Sequence, residues 1–188
     1  PERRNPLGSD ALREIVDAMA WFDDRDARVV VVHGEGRAFS GGFDRDEMAG
    51  PDLDPAALME LGARMADVVE DSRAVTIAAV HGHCVGGGVV LAAACDLRLA
   101  AHDARFRIPE VDLGIPLGWG GIPRLVREIG PARARELVLT CREFDAAEAT
   151  AMGFVNAAVP VDELLDHARR LAHDIASRPP AAVRATTE

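Results

Sequence analysis

The run Ala74-Val75-Thr76-Ile77-Ala78-Ala79-Val80, followed by His81-Gly82-His83-Cys84-Val85-Gly86-Gly87-Gly88 and then Val89-Val90-Leu91-Ala92-Ala93-Ala94, decides the fold. A β-branched and small apolar run of strand length, with no polar alternation, reads as a strand buried on both faces. The glycine turn after it leads into an apolar helix from Val89 to about Ala94. Three consecutive glycines at the head of such a helix expose unpaired N–H groups at the positive end of its dipole and let another backbone or a ligand approach closely. That arrangement suits a developing anion.

Toward the N-terminus the pattern repeats. Ala27-Arg28-Val29-Val30-Val31-Val32-His33 reads as a second strand buried on both faces, ended by Gly34-Glu35-Gly36. Before it, Leu12, Ile15, Val16 and Met19 share one face of a helix over Ser9 to Phe22, with Ser9 or Asp10 as its N-cap. After it, Arg37 to Pro55 mixes glycine, aspartate and proline without periodicity and is expected to be a long functional loop. A helix over about Asp54 to Asp71 follows, with Leu58, Leu61, Met65 and Val68 on its apolar side. Gly41-Gly42 thus stands after one strand and Gly86-Gly87-Gly88 after another. If the strands pair in parallel, both glycine turns open at one edge of the sheet.

Toward the C-terminus, Leu97 to Ala101 and Arg105 to Ile108 are expected as short strands. Helices follow at Trp119 to Ile129, Pro131 to Leu139 and Ala146 to Met152, then a strand over Phe154 to Val159 and an amphipathic helix over Val161 to Ser177. Pro179-Pro180 stops that helix, and the tail starts another. Strands alternating with helices give an α/β fold with parallel pairing, read as a single domain over residues 1–188.

Composition narrows the function. Hydrophobic residues make up 48% and charged residues 28%, a globular balance, and no apolar run approaches the length of a bilayer span. The net charge of -10 excludes a diffuse cationic footprint for nucleic acid, so a polyanionic ligand has to be held by a few local arginines or by backbone amides. Cys84, Cys95 and Cys141 are too few and too scattered for a disulfide framework or a zinc site, which points to a reducing, cytoplasmic compartment and to no metal. The third glycine of a dinucleotide-binding G-x-G-x-x-G starting at Gly34 would fall on Phe39, and the chain contains no lysine, so neither a P-loop nor Schiff-base chemistry is available. Glu110 lies in the apolar stretch Ile108-Pro109-Glu110-Val111-Asp112-Leu113-Gly114-Ile115-Pro116, where a poorly solvated carboxylate has a raised pKa suited to a general base; a solvated surface glutamate is the alternative.

Together these motifs resemble the enoyl-CoA hydratase/isomerase family, the crotonase superfamily, along nearly the whole chain. Pro1 to Leu7 is similar to the family's R-P-E-x-x-N-A-L segment, and Arg37-Ala38-Phe39-Ser40-Gly41-Gly42-Phe43-Asp44 to its K/R-A-F-x-x-G-x-D loop. His81-Gly82 with the glycine triplet, then Ala94-Cys95-Asp96, resembles the second signature; Pro109 to Gly114 and Gly120 to Leu125 resemble the P-E-x-x-L-G and G-G-x-x-R-L blocks. Ala146-Ala147-Glu148-Ala149 with Gly153 to Asn156 matches the A-x-E-A…G-L-V segment.

The resemblance implies a crotonase-like spiral of ββα units, the ClpP/crotonase fold, with an N-terminal strand and a C-terminal helical region of the family lying outside this chain. It implies an acyl-CoA thioester substrate, with coenzyme A as part of the substrate and no separate cofactor, and a homotrimer or dimer of trimers. Carried over by motif, the amides of Phe43 and Gly87 hold the thioester oxygen, Glu110 is the acid/base, and Arg37, Ala38, Gly42, Asp44, Gly86 and Val90 bind substrate. Two fixed N–H donors favour an enolate-like oxygen over the neutral thioester.

One position departs from the hydratase pattern. Hydratases of the family carry a glutamate two residues after the glycine triplet, where this chain has Val90, and a second one at the position of Glu110. A lone glutamate resembles the arrangement of the family's Δ3,Δ2-enoyl-CoA isomerases and of members that form carbon–carbon bonds through an enolate. Hydration would need an acid from elsewhere, with Asp44, Asp46, Glu47 and Asp112 as candidates. A non-catalytic acyl-CoA-binding protein is a further alternative. His81 and His83 lack a nucleophile or metal partner at informative spacing, and Trp119 and Phe43 read as pocket walls or core.

Overall fold

The computed structural model describes residues 2–48 and 54–187. The chain runs α1 (Ser9–Asp23), β1 (Val29–His33), β2 (Ala38–Ser40), α2 (Arg45–Met48), α3 (Pro55–Glu70), β3 (Val75–Val80), β4 (His83–Val85), α4 (Gly87–Ala94), β5 (Leu97–Ala101), β6 (Arg105–Arg107), α5 (Gly121–Thr140), β7 (Phe144–Asp145), α6 (Ala146–Ala151), β8 (Ala157–Val159), α7 (Leu164–Ala176) and α8 (Pro180–Thr187). Two strands and then helix recur three times, at β1-β2, β3-β4 and β5-β6.

The strands separate into two sheets. The first of each pair enters one sheet, ordered β1-β3-β5-β8 and parallel throughout; the second enters another, ordered β2-β4-β6-β7, with β6–β7 antiparallel. β3 is buried along its whole length. Its side chains alternate: Ala78 and Val80 face the main core with α4, while Ile77 and Ala79 join Leu99, Ala101, Leu164 and Ala168 beneath α7. α4 is buried at every residue, which its Val, Leu and Ala content permits.

Polar groups lock this frame. Thr76 donates from N and Oγ1 to Asp96 Oδ2 at 2.7 and 2.8 Å, and Asp96 N returns a bond to Thr76 Oγ1, so the start of β3 is tied to the turn after α4. The buried Arg98 donates to the carbonyls of Phe154, Ala92 and Cys95 and pairs with Glu128.

The structure corrects several local readings. β1 is an edge strand with only Val30 buried, not a strand covered on both faces. The expected loop over Arg37 to Pro55 contains β2 and α2, its part at 49–53 lying outside the described residues, and the expected turn over His81 to Gly88 contains β4. α1 is preceded by Gly8 with no side-chain cap of its own; Glu47 caps it instead, its Oε2 accepting from Ser9 N at 2.7 Å. The helices expected at Trp119 and Pro131 form one element that begins at Gly121 and breaks at Gly130 (φ 78°, ψ 161°). The last strand covers only Ala157–Val159, and Val161–Glu163 is a 3₁₀ turn ahead of α7.

Candidate active site

Parallel pairing of β2 with β4 brings the two glycine turns together. β2 ends at Ser40 and delivers Gly41-Gly42-Phe43; β4 ends at Val85 and delivers Gly86-Gly87-Gly88. Gly42 has φ +86°, and a Cβ there would lie 2.6 Å from the Val85 carbonyl oxygen and 3.6 Å from Gly87 N, so only glycine allows this approach of backbone to backbone. Gly87 is the first residue of α4, where an N–H has no intrahelical acceptor; Val89 N and Val90 N donate to Gly86 O. Among the described residues no acceptor is bonded to the Gly87 or Phe43 amide in the turns.

Each glycine of the triplet yields space to a different neighbour. A Cβ on Gly86 would meet Glu110 Oε1 at 2.4 Å, one on Gly87 would meet Trp119 Cζ3 at 2.2 Å, and one on Gly88 would meet Ser40 Cβ at 2.9 Å. Glu110 stands immediately before a 3₁₀ turn at Val111–Leu113, and the Leu113 and Ile115 amides both donate to the Glu110 carbonyl at 3.0 Å. Its side chain is turned inward, and its Oε2 is buried with no hydrogen-bond partner. Burial raises the Glu110 pKa above the ordinary glutamate value, because the charged form gives up hydration and the hydrogen bond from its own backbone amide offsets only part of that loss.

A cleft of about 600 Å³ opens over these groups, lined by Gly42, Phe43, Val85, Gly86, Pro109 and Glu110 within, and by Arg3, Arg4, Arg105 and Arg107 on its rim. The family model for enoyl-CoA hydratase/isomerase matches residues 1–188. The chain belongs to the enoyl-CoA hydratase/isomerase family.

Relatives within the family differ in their reactions. The chain is 38% identical to the crotonyl-CoA hydratase of Syntrophomonas wolfei over 187 residues, covering 98% of this chain and 72% of that protein. It is 37% identical to the human mitochondrial Delta(3,5)-Delta(2,4)-dienoyl-CoA isomerase over 201 residues, covering 99% of this chain and 61% of that protein. The crystal structure of an enoyl-CoA hydratase from Bacillus anthracis superposes with a TM-score of 0.94 at 36% identity, covering 99% of this chain and 73% of that one. The architecture is the crotonase fold that the motifs imply.

Of the family positions named from sequence, Gly42, Phe43, Asp44, Gly86 and Glu110 line the cleft; Gly87 does not, but a Cβ on the lining residue Gly42 would lie 3.6 Å from its N. Three more do not line it. Arg37 is exposed on the turn before β2, Ala38 is fully buried within β2, and Val90 is buried one turn along α4, facing Gly121. Asp44 is engaged by Arg3 at 2.7 Å: burial pushes its carboxyl up, but the Arg3 bond and the backbone amides of Asp46 and Glu47 outweigh that and hold it below the usual carboxylate value. Asp112 pairs with Arg107 at 2.9 Å. His83 lines the cleft, whereas His81 is spent on Gly36 O at 3.1 Å.

Sequence reasoning did not find Arg105 and Arg107 on the rim. The available signal was their spacing of two along a strand, which places both on one face. It reads Trp119 only as pocket wall or core; the residue is in the core, and its indole packs directly on Gly87. No group of three or more His, Cys, Asp or Glu is placed to hold a metal among the described residues, and no helix there is long and apolar enough to cross a membrane.

Proposed function

We propose that the protein binds an acyl-CoA thioester and isomerises an enoyl group through an enolate, with Glu110 as the single acid/base. The observation that carries this reading is the Glu110 carboxyl lying against Gly86, one residue from the Gly87 amide, with its Oε2 buried and without a hydrogen-bond partner. The thioester oxygen sits between the Phe43 and Gly87 amides. Glu110 takes a proton from the α-carbon, the negative charge passes to the thioester oxygen, and the two N–H donors stabilise it more than the neutral ground state. The protonated Glu110, whose proton exchanges with solvent while the enolate lasts, then protonates the γ-carbon, which leaves the double bond conjugated and the carboxylate restored, or reprotonates the α-carbon, which leaves solvent hydrogen there. Nothing beyond the coenzyme A of the substrate is required.

The three other carboxylates of the cleft weigh against hydration. Asp44 is tied to Arg3, Asp112 to Arg107 and, at 3.7 Å, Glu143 to Arg105, so each is engaged by an arginine rather than set as a free acid opposite Glu110. Hydration stands as the second reading, because the Asp112–Arg107 pair lies exposed at the cleft, where water screens it and Asp112 can be released.

The deciding experiment supplies a 3-enoyl-CoA and follows formation of the conjugated isomer, with deuterium uptake at the α-carbon read in parallel. Glu110→Gln removes turnover and exchange and keeps binding. Retained exchange in Glu110→Gln overturns the assignment of the base. Efficient hydration of a 2-enoyl-CoA favours the second reading, and binding without exchange shows a non-catalytic acyl-CoA-binding protein.

A further inference from the structure

Two glycines on different helices leave a slot, and Trp119 fills it. A Cβ on Gly62 in α3 would come within 2.1 Å of the indole Cε2 and Nε1, and a Cβ on Gly87 within 2.2 Å of Cζ3. The indole therefore spans from α3 to the first residue of α4, five-membered ring toward one and six-membered ring toward the other. Phe43 meets it edge-on, with ring centroids 6.3 Å apart and planes at 87°. Both residues assigned to the thioester oxygen thus lean on one side chain, which is only 6% exposed.

The backbone that delivers this indole is in an unfavourable state. Trp119 has φ +55°, a region that bulky side chains rarely adopt. Such conformations persist where the surroundings over-determine them, and here Arg124 does so. Its Nη1 donates to the carbonyls of Trp119 and Gly120 at 3.1 and 3.3 Å, while its Nη2 is held by Asp67 and Glu70 of α3 at 2.8 and 2.5 Å.

We infer that Trp119 sets acyl-chain length: its indole fills the space inward of the Gly87 amide and restricts the substrate to short-chain acyl-CoA thioesters. This rests on the acyl-CoA reading above. A thioester oxygen at Gly87 N fixes where the acyl chain begins. On the Gly86 side stands the Glu110 carboxyl; on the Gly87 side the indole lies just behind the cleft lining, fills the space between Gly87 and Gly62, and so denies a longer chain the room to extend there. Among the described residues the cleft also runs past Leu113 and Ile115, which are 53% and 42% exposed and would leave a long chain in water.

Affinity across a chain-length series tests this without requiring turnover. Butanoyl-CoA and dodecanoyl-CoA are titrated calorimetrically into the protein and into Trp119→Ala. The chain has two tryptophans, and Trp21 is half exposed on α1. Trp21→Phe therefore makes Trp119 the sole indole reporter. Dodecanoyl-CoA should bind at least about tenfold more weakly than butanoyl-CoA, since a pocket that excludes even one methylene discriminates by that much. Butanoyl-CoA should shift the Trp119 emission, and a folded Trp119→Ala should lose the discrimination. Equal or tighter binding of dodecanoyl-CoA by the unmodified protein overturns the inference and leaves the acyl-CoA reading standing, whether or not Trp119→Ala folds. Discrimination that survives in a folded Trp119→Ala overturns it equally. Absence of binding at either length overturns both the inference and the acyl-CoA reading.

Discussion

The carboxylate of Glu110 rests against Gly86, so close that a Cβ on that glycine would lie 2.4 Å from Oε1. Gly86 also has φ +50°. With ψ -114° it lies outside the left-handed helical region, so Gly86→Ala meets two obstacles, a backbone strain of about 1–3 kcal/mol and displacement of the carboxylate from the reacting carbon. The expected outcome is a modest fall in melting temperature and a fall in kcat/KM of about 10²-fold or more, because small misplacements of a catalytic group are costly. Circular dichroism melting and the isomerisation assay on one preparation check both; a change in stability with unaltered kcat/KM contradicts the placement of Glu110 over substrate.

The raised pKa of Glu110 has consequences of definite sign. A base works only when ionised, so kcat/KM should fall with decreasing pH through an inflection above 4.5, the ordinary glutamate value. Stability runs the other way. The folded state binds this proton more tightly than the unfolded one, so Glu110 destabilises the protein fully above its folded pKa and progressively less as pH falls through it. Glu110→Gln should therefore raise the urea midpoint at neutral pH, and the gain should vanish near pH 4, while activity drops by about 10²- to 10⁴-fold. A gain that persists at acid pH would trace to something other than the buried charge.

Gly87 and Trp119 should couple. A Cβ on Gly87 would meet three atoms of the indole, at 2.2, 2.8 and 3.1 Å, and the ring has no room to retreat from Gly62. Gly87→Ala alone should cost about 1–3 kcal/mol from overpacking, and Trp119→Ala alone about 3–5 kcal/mol from the cavity it leaves. In the double variant the methyl enters that cavity, so its combined cost should fall short of the sum by at least about 1 kcal/mol. Equilibrium urea denaturation of the four proteins measures the shortfall, and strict additivity would mean that the two residues do not touch.

These contacts also mark what a sequence discloses. The long elements α1, α3, β3 and α4 carry enough apolar positions for their period to show, and Glu110 stands out as a carboxylate in an apolar stretch. β2 and β4 have three residues each, too few for alternation to register, and they hide among the glycines they serve. Of the second sheet only β6 shows in the sequence, and the β2–β4 pairing that juxtaposes Gly42 with Gly87 does not. The indole seated between Gly62 and Gly87 was equally hidden: a missing Cβ says that something comes near and does not say what. Val90 shows the converse, since motif spacing singles it out while packing turns it toward Gly121.

Arg98 holds the far end of the helix whose first residue is Gly87. Its side chain is 4% exposed and donates to the carbonyls of Ala92 and Cys95, at the C-terminal end of α4, and to Phe154, while Glu128 balances its charge. Burial lowers its pKa, yet a guanidinium starts high enough to stay charged. A cation at a helix C-terminus complements the dipole, so this residue both closes the α4 carbonyls and reinforces the polarity that makes the Gly87 end attractive to an anion. Arg98→Met strands those carbonyls and the Glu128 carboxylate, and should cost about 3–5 kcal/mol. Glu128→Gln keeps a hydrogen-bond acceptor for Arg98 and leaves Arg98 bonded to its three carbonyls, so it should cost distinctly less. Urea midpoints of the two variants separate the cases: if Arg98→Met costs no more than Glu128→Gln, the carbonyl contacts contribute nothing and α4 is anchored by its apolar packing alone.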